Sequence, residues 1–116
     1  MRLSEQQAAF TLDLAKLIIF ANEQGYNVVL KETLRTPEQA KLYAEQGKGI
    51  KNSLHIQGLA ADIALFKDSI YLTSTESYKP LGDYWESLNS QNRWGGYFTQ
   101  HGGTIDDGNH FERKPE

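Results

Sequence analysis

The chain has 116 residues, with twelve basic against fifteen acidic side chains, three His and no Cys. That length suits one domain able to bury about two-thirds of its unfolded surface, and 39% hydrophobic residues are too many for a disordered chain. The composition excludes a disulfide scaffold, a cysteine nucleophile and any thiolate metal site, offers no cationic excess for nucleic acid, and restricts any metal to His, Asp and Glu ligands.

Taken in chain order, Ser4 and Gln7 fit a capping box. Phe10, Leu14, Leu17, Ile18 and Ala21 then recur at three- and four-residue steps up to Gly25, predicting an amphipathic helix over 4–24. Its apolar stretch is interrupted by Asp13 and Lys16 and is too short for a bilayer span, which takes about 18 residues. The N-terminus has no signal-peptide pattern, so synthesis in the cytoplasm without membrane insertion is expected. Val28, Val29 and Leu30 mark a strand over 27–33. Thr36 as cap with Pro37 at the first helical position starts a helix that ends near Glu45, before Gly47. The polar, glycine-bearing stretch 48–58 reads as a loop, 60–66 as a buried strand and 67–79 as irregular or a short hairpin. A third helix is expected over 80–89, then a turn at Gly95-Gly96 and a last short strand over 109–112. Helices and strands do not alternate strictly, which favours α+β over a doubly wound sheet. No repeat or linker divides the chain, so a single domain over 1–116 is expected.

Two segments carry the chemistry: 53–62, Ser-Leu-His-Ile-Gln-Gly-Leu-Ala-Ala-Asp, and 107–112, Asp-Gly-Asn-His-Phe-Glu. Strand alternation puts Asp62 on one face with Ala60 and Ala64, and Ile63 and Leu65 on the other. An acid in an apolar strand needs its charge compensated, and a divalent metal does so. His55 lies just upstream, with Gly58 between them to let the backbone turn. In the second segment Phe111 can enter a core while His110 faces a cleft. His55, Asp62 and His110 then make a two-histidine, one-carboxylate set, three protein ligands that leave a fourth position for water as in catalytic zinc sites. Asp107 stands three residues before His110, placed to accept a proton. His101, before Gly102-Gly103, reads as structural or exposed. Trp85, Tyr84 and Tyr97 read as core or cleft-wall aromatics, and Trp94-Gly95-Gly96 as a cleft floor.

The pattern Ser-x-His-x-x-Gly-x-Ala-x-Asp, followed by Asp-x-x-His-Phe-Glu, resembles the D-alanyl-D-alanine carboxypeptidase family of zinc peptidases. That family includes VanY-like carboxypeptidases and phage L-alanyl-D-glutamate endopeptidases that serve as endolysins. The resemblance reaches upstream to the Arg-containing segment 34–43 and covers 27–112. It implies an antiparallel sheet flanked by helices, of the hedgehog and D,D-peptidase type. It also implies Zn2+ on His55, Asp62 and His110, with Asp107 as general base and acid. Arg35 would hold a substrate carboxylate or the oxyanion, with Ser53, Gln39 and Trp94 as further substrate contacts. Asp106 adjoins Asp107, so spacing alone selects the base. An Asp in this place leans towards the endolysin branch, since the carboxypeptidase branch usually carries Glu.

The expected function is hydrolysis of the peptidoglycan stem peptide at L-Ala-D-Glu, in bacterial cell-wall lysis, by a monomer. The alternatives are a D-alanyl-D-alanine carboxypeptidase or dipeptidase, and a non-catalytic zinc-stabilised cell-wall-binding module. The size suits a phage lysis gene, with a holin or another route giving access to the wall. No separate cell-wall-binding domain is expected beyond the catalytic core.

Overall fold

Of the 116 residues, the computed structural model describes 1–47, 54–99 and 107–116. Helix α1, Leu3–Glu23, buries Phe10, Leu14, Leu17 and Ala21 along one stripe, as the periodicity requires. Its start lies ahead of the expected cap. Glu5 Oε1 accepts from the Arg2 N–H at 3.0 Å, so Arg2 and Glu5, not Ser4 and Gln7, close the first turn. A carboxylate is the better acceptor at the positive end of a helix. Gln7 instead donates its amide to the Gln57 carbonyl at 2.7 Å, tying α1 to the turn before the central strand.

Strand β1, Asn27–Glu32, follows Gly25, whose φ of +90° ends the helix. Helix α2, Pro37–Glu45, starts as its sequence dictates: the Thr36 side chain accepts from the Gln39 N–H. The central strand β2, Ala60–Lys67, continues into β3, Ile70–Leu72, through Asp68 and Ser69. Both turn residues have positive φ, the geometry of a tight two-residue hairpin.

The third helix departs from expectation. Helix α3 spans Thr75–Leu88, so Pro80 lies inside it and does not open it. The missing proline N–H forfeits one helical bond, but the start is fixed upstream. The Ser74 side chain caps Ser77, and Tyr78, 2% exposed, accepts from the Leu65 N–H at 3.2 Å and donates to the Leu72 carbonyl at 2.9 Å. Tertiary anchoring thus decides a boundary that proline statistics place later. A strand unmarked in the sequence, β4 at Asn92–Trp94, runs into a 3-10 turn at Gly95–Tyr97. The last strand, β5, is His110–Arg113.

The sheet is antiparallel in the order β1-β2-β5-β4. β3 and β5 both lie along the side of β2 opposite β1: β5 pairs with Ala60–Asp62 and β3 with Leu65–Lys67. One face packs on α1 and α3, burying Ala61, Ile63, Leu65 and Phe111 with Leu17, Leu81, Trp85 and Trp94. Strand alternation then sends Asp62, His110 and Glu112 to the other face. The α+β architecture with helices beside an antiparallel sheet is the one expected. Among the described residues no helix is long and apolar enough to cross a membrane.

Candidate metal centre

Three segments converge on the sheet face opposite α1 and α3. His55 comes from the turn before β2, Asp62 from β2, and His110 from the first position of β5, paired in register with Asp62. Gly58, at a φ of +68°, lets the turn fold back against Gln7, whose amide nitrogen stands 3.0 Å from where a Cβ would be. The candidate donor atoms of His55, Asp62 and His110 all lie within 4.8 Å of one another. Asp62 Oδ1 is 3.3 Å from His55 Nε2 and 2.9 Å from His110 Nδ1. Ligands at zinc-bonding distance on a tetrahedron sit roughly 3.4 Å apart, close to the two distances from Asp62.

The outer nitrogen of each imidazole is also anchored. His55 Nδ1 is 2.9 Å from the Thr33 carbonyl, and His110 Nε2 is 2.7 Å from Glu112 Oε1. Each outer nitrogen therefore donates, which leaves His55 Nε2 and His110 Nδ1 as the nitrogens that would coordinate a metal. Glu112 is in turn held by Arg93 at 2.5 Å. Burial opposes the charge on Asp62, but hydrogen bonds from His110 and His55 prevail and hold its pKa well below the ordinary value. Burial likewise opposes protonation of His110, yet its bonds to Asp62 and Glu112 raise its pKa to about 9. In the metal-free chain the proton between His110 Nδ1 and Asp62 occupies the place a zinc ion would take, so two imidazoles and an ionised carboxylate, from a turn and two paired strands, fit zinc.

Asp107 stands at the rim, with its side chain 40% exposed and Oδ2 3.9 Å from His110 Nδ1. Its backbone is fixed on both sides. The Asp107 N–H donates to the Gly95 carbonyl at 3.2 Å, and its carbonyl accepts from His110 N–H at 3.1 Å. A Cβ on Gly95 would lie 1.9 Å from the Asp107 carbonyl oxygen, so only glycine permits this approach. Trp94, expected at the cleft floor, lies within the core beneath the Asp107 turn. It is 2% exposed, and its indole N–H donates to the Gly108 carbonyl at 2.7 Å. It supports the Asp107 turn from within the core.

Arg35 is buried beside the centre. Its backbone N–H donates to the His55 carbonyl, its Nε donates to Glu32 Oε1 at 2.7 Å, and its guanidinium lies 5.0 Å from the Tyr43 ring centroid. Glu32 Oε1 is also 3.8 Å from His55 Nδ1. The pairing of Glu32 with Asp62, after an irregularity in register past Leu30, brings this acid to the same face. Gln39 donates its amide to the Tyr43 hydroxyl at 2.8 Å on the exposed side of α2. Ser53, His101 and Asp106 lie outside the described residues. Sequence reasoning passed over Glu112 and Glu32 as functional supports. For Glu112 the signal was available, since a residue two after His110 shares its face of a strand.

A profile of the D-alanyl-D-alanine carboxypeptidase family matches residues 46–113. A search of curated proteins gives no match. Among solved structures, the L-Ala D-Glu endopeptidase ChiX of Serratia marcescens is similar at 20% identity and a TM-score of 0.70, over 98% of this chain and 87% of that one. The D,D-pentapeptidase VanY of a VanB-type vancomycin resistance cassette, in complex with Zn(II), has 20% identity and a TM-score of 0.60 over 92% and 71%. VanYB in complex with D-alanine-D-alanine has 21% identity and a TM-score of 0.61 over 92% and 70%. The chain belongs to the D-alanyl-D-alanine carboxypeptidase family and is a zinc metallopeptidase.

Proposed function

We propose that this family member hydrolyses the stem peptide of bacterial peptidoglycan at the L-Ala-D-Glu bond, with His55, Asp62 and His110 holding zinc and Asp107 moving the proton. The observation that carries the reading is the convergence of those three donors, each imidazole anchored at its outer nitrogen, beneath a carboxylate 3.9 Å from His110. Bound zinc supplies Lewis acidity toward the scissile carbonyl and acidifies a water. Asp107, open to solvent at the rim, takes a proton from the attacking water and returns it to the departing amine. Arg35 has donors beyond those bound to Glu32 and, stiffened by that pair and by Tyr43, offers them to a substrate oxygen.

The endopeptidase reading is supported by the aspartate at 107 and by the fold shared with ChiX over 98% of the chain. A second reading, D,D-carboxypeptidase, draws on the family's description and on the D-alanine-D-alanine complex of VanYB. Digestion of purified peptidoglycan with and without chelator, followed by mass spectrometry, tests both. New N-terminal D-Glu is expected, and release of free D-Ala establishes the second reading in its place. In the same assay Asp107→Asn should retain zinc and lose at least 100-fold in rate, the ordinary scale of acid–base assistance. Normal wall lysis by that variant would instead leave a zinc-stabilised binding module.

A further inference from the structure

Beyond Asp107 lies a cavity of about 300 Å³ that belongs to none of the metal-binding side chains. It is lined by Tyr71 within β3, by Thr73 immediately after that strand, by Thr75 at the start of α3, and by Asp107 and Asn109. The topology creates it. β5 and β3 pair with opposite ends of the same side of β2, and between them the Ile63 N–H donates to the Asn109 carbonyl at 3.0 Å. The turn carrying Asp107 therefore faces the exit of the β2–β3 hairpin across a gap. Asp107 is common to both features: its carboxylate is near His110, and it forms one wall of the cavity.

We propose that this cavity is the subsite for the residue on the amine side of the scissile bond, and that Tyr71 and Thr73 select a polar carboxylate- or carboxamide-bearing residue there over alanine. The inference rests on the peptidase reading and deepens it. If Asp107 delivers a proton to the departing amine, that amine lies against Asp107, and the residue bearing it enters the space on Asp107's far side. The walls supply the selection. Apart from Gly108 and the Asp107 carboxylate, the lining residues are Tyr71, Thr73, Thr75, Tyr78 and Asn109, all of them with a hydrogen-bonding group, and no aliphatic side chain lines the cavity among the described residues. A methyl group gains little against such walls, whereas a glutamyl carboxylate or its amide finds donors. At the small end of the ligand-pocket range, the cavity takes one residue and not an extended peptide.

The test compares two synthetic stem peptides that differ only after the scissile bond, one with D-Glu and one with D-Ala. The variant is Tyr71→Phe with Thr73→Val, at exposed positions, and it keeps the ring of Tyr71 on Phe66. The wild type should prefer D-Glu. The variant should raise KM for that peptide about ten-fold, with kcat within two-fold and rates on the D-Ala peptide unchanged. Equal losses on both peptides, or none on either, overturn the subsite. A separate readout does not need turnover: amide chemical-shift mapping of the wild type with the dipeptide γ-D-Glu-L-Lys. Shifts at Tyr71, Thr73 and Asn109 uphold the subsite even if the wild type cuts neither peptide, an outcome that would sink the peptidase reading alone. Saturating dipeptide without shifts there overturns it.

Discussion

Glu112 shows how much one side chain outside the ligand set can contribute. It accepts from His110 Nε2 at 2.7 Å and so fixes which nitrogen of that ring faces the cluster. Replacing it with alanine removes the acceptor, frees the ring and leaves Arg93 unpaired. Glu112→Ala is expected to weaken zinc binding by 10- to 100-fold while the fold persists, as competition with a chromogenic chelator will show. The same residues set the pH response of the metal-free protein. His110 is raised to about 9 from 6.5, so its contribution to stability is complete below pH 6.5 and is lost as pH climbs through 9. Asp62 and Glu112 are depressed from 3.8 and 4.5, so their contributions hold above those values and vanish as pH falls further. Melting temperatures of the metal-free protein should therefore peak in mildly acidic buffer and decline toward pH 9. A flat alkaline limb would show that His110 is not held by these acids.

Among the elements, α3 is the clearest case of tertiary structure overruling a local rule. Gly82, inside this helix, would by propensity be improved by alanine, by up to about 1 kcal/mol. A Cβ there, however, would lie 2.1 Å from the Trp94 ring, which is itself fixed on the Gly108 carbonyl. Gly82→Ala is expected to destabilise by about 1–3 kcal/mol, and the displaced indole should loosen the Asp107 turn. Denaturant midpoints and turnover measured together check this: an increase in stability would mean that Trp94 is not wedged as described. Strand β4 escaped sequence reasoning for a related reason. Three residues ahead of two glycines carry no periodicity, and their strand character comes from pairing with β5.

At the level of the molecule, the face opposite α1 and α3 is where residues far apart in sequence are brought under one charge. Asp62 and His110 are separated by 48 positions yet sit 2.9 Å apart. An ion bound there links the turn before β2 with both central strands and binds only the folded chain. Zinc at 100 times its dissociation constant stabilises by about 2.7 kcal/mol, so stripping it should lower the melting temperature by roughly 10 °C. A melt unchanged by chelator would contradict a site that joins these strands.

The sequence by itself determined the two helices that precede and follow β1, the buried strand β2, and that Asp62 and His110 face away from the core. Those follow from local periodicity, caps and strand alternation, which act over a few residues. It also marked His55, Asp62 and His110 as a possible ligand set, because so few residue types could serve. Only the tertiary structure decided that Glu112 and Thr33 orient the imidazoles, that Glu32 holds Arg35, and that Trp94 is buried beneath Asp107. It likewise decided that α3 begins ahead of its proline. The Thr33, Trp94 and α3 contacts join elements far apart in sequence, and even the near neighbours Glu112 and His110, and Glu32 and Arg35, are brought together only by strand geometry whose free energy exists once the chain has folded.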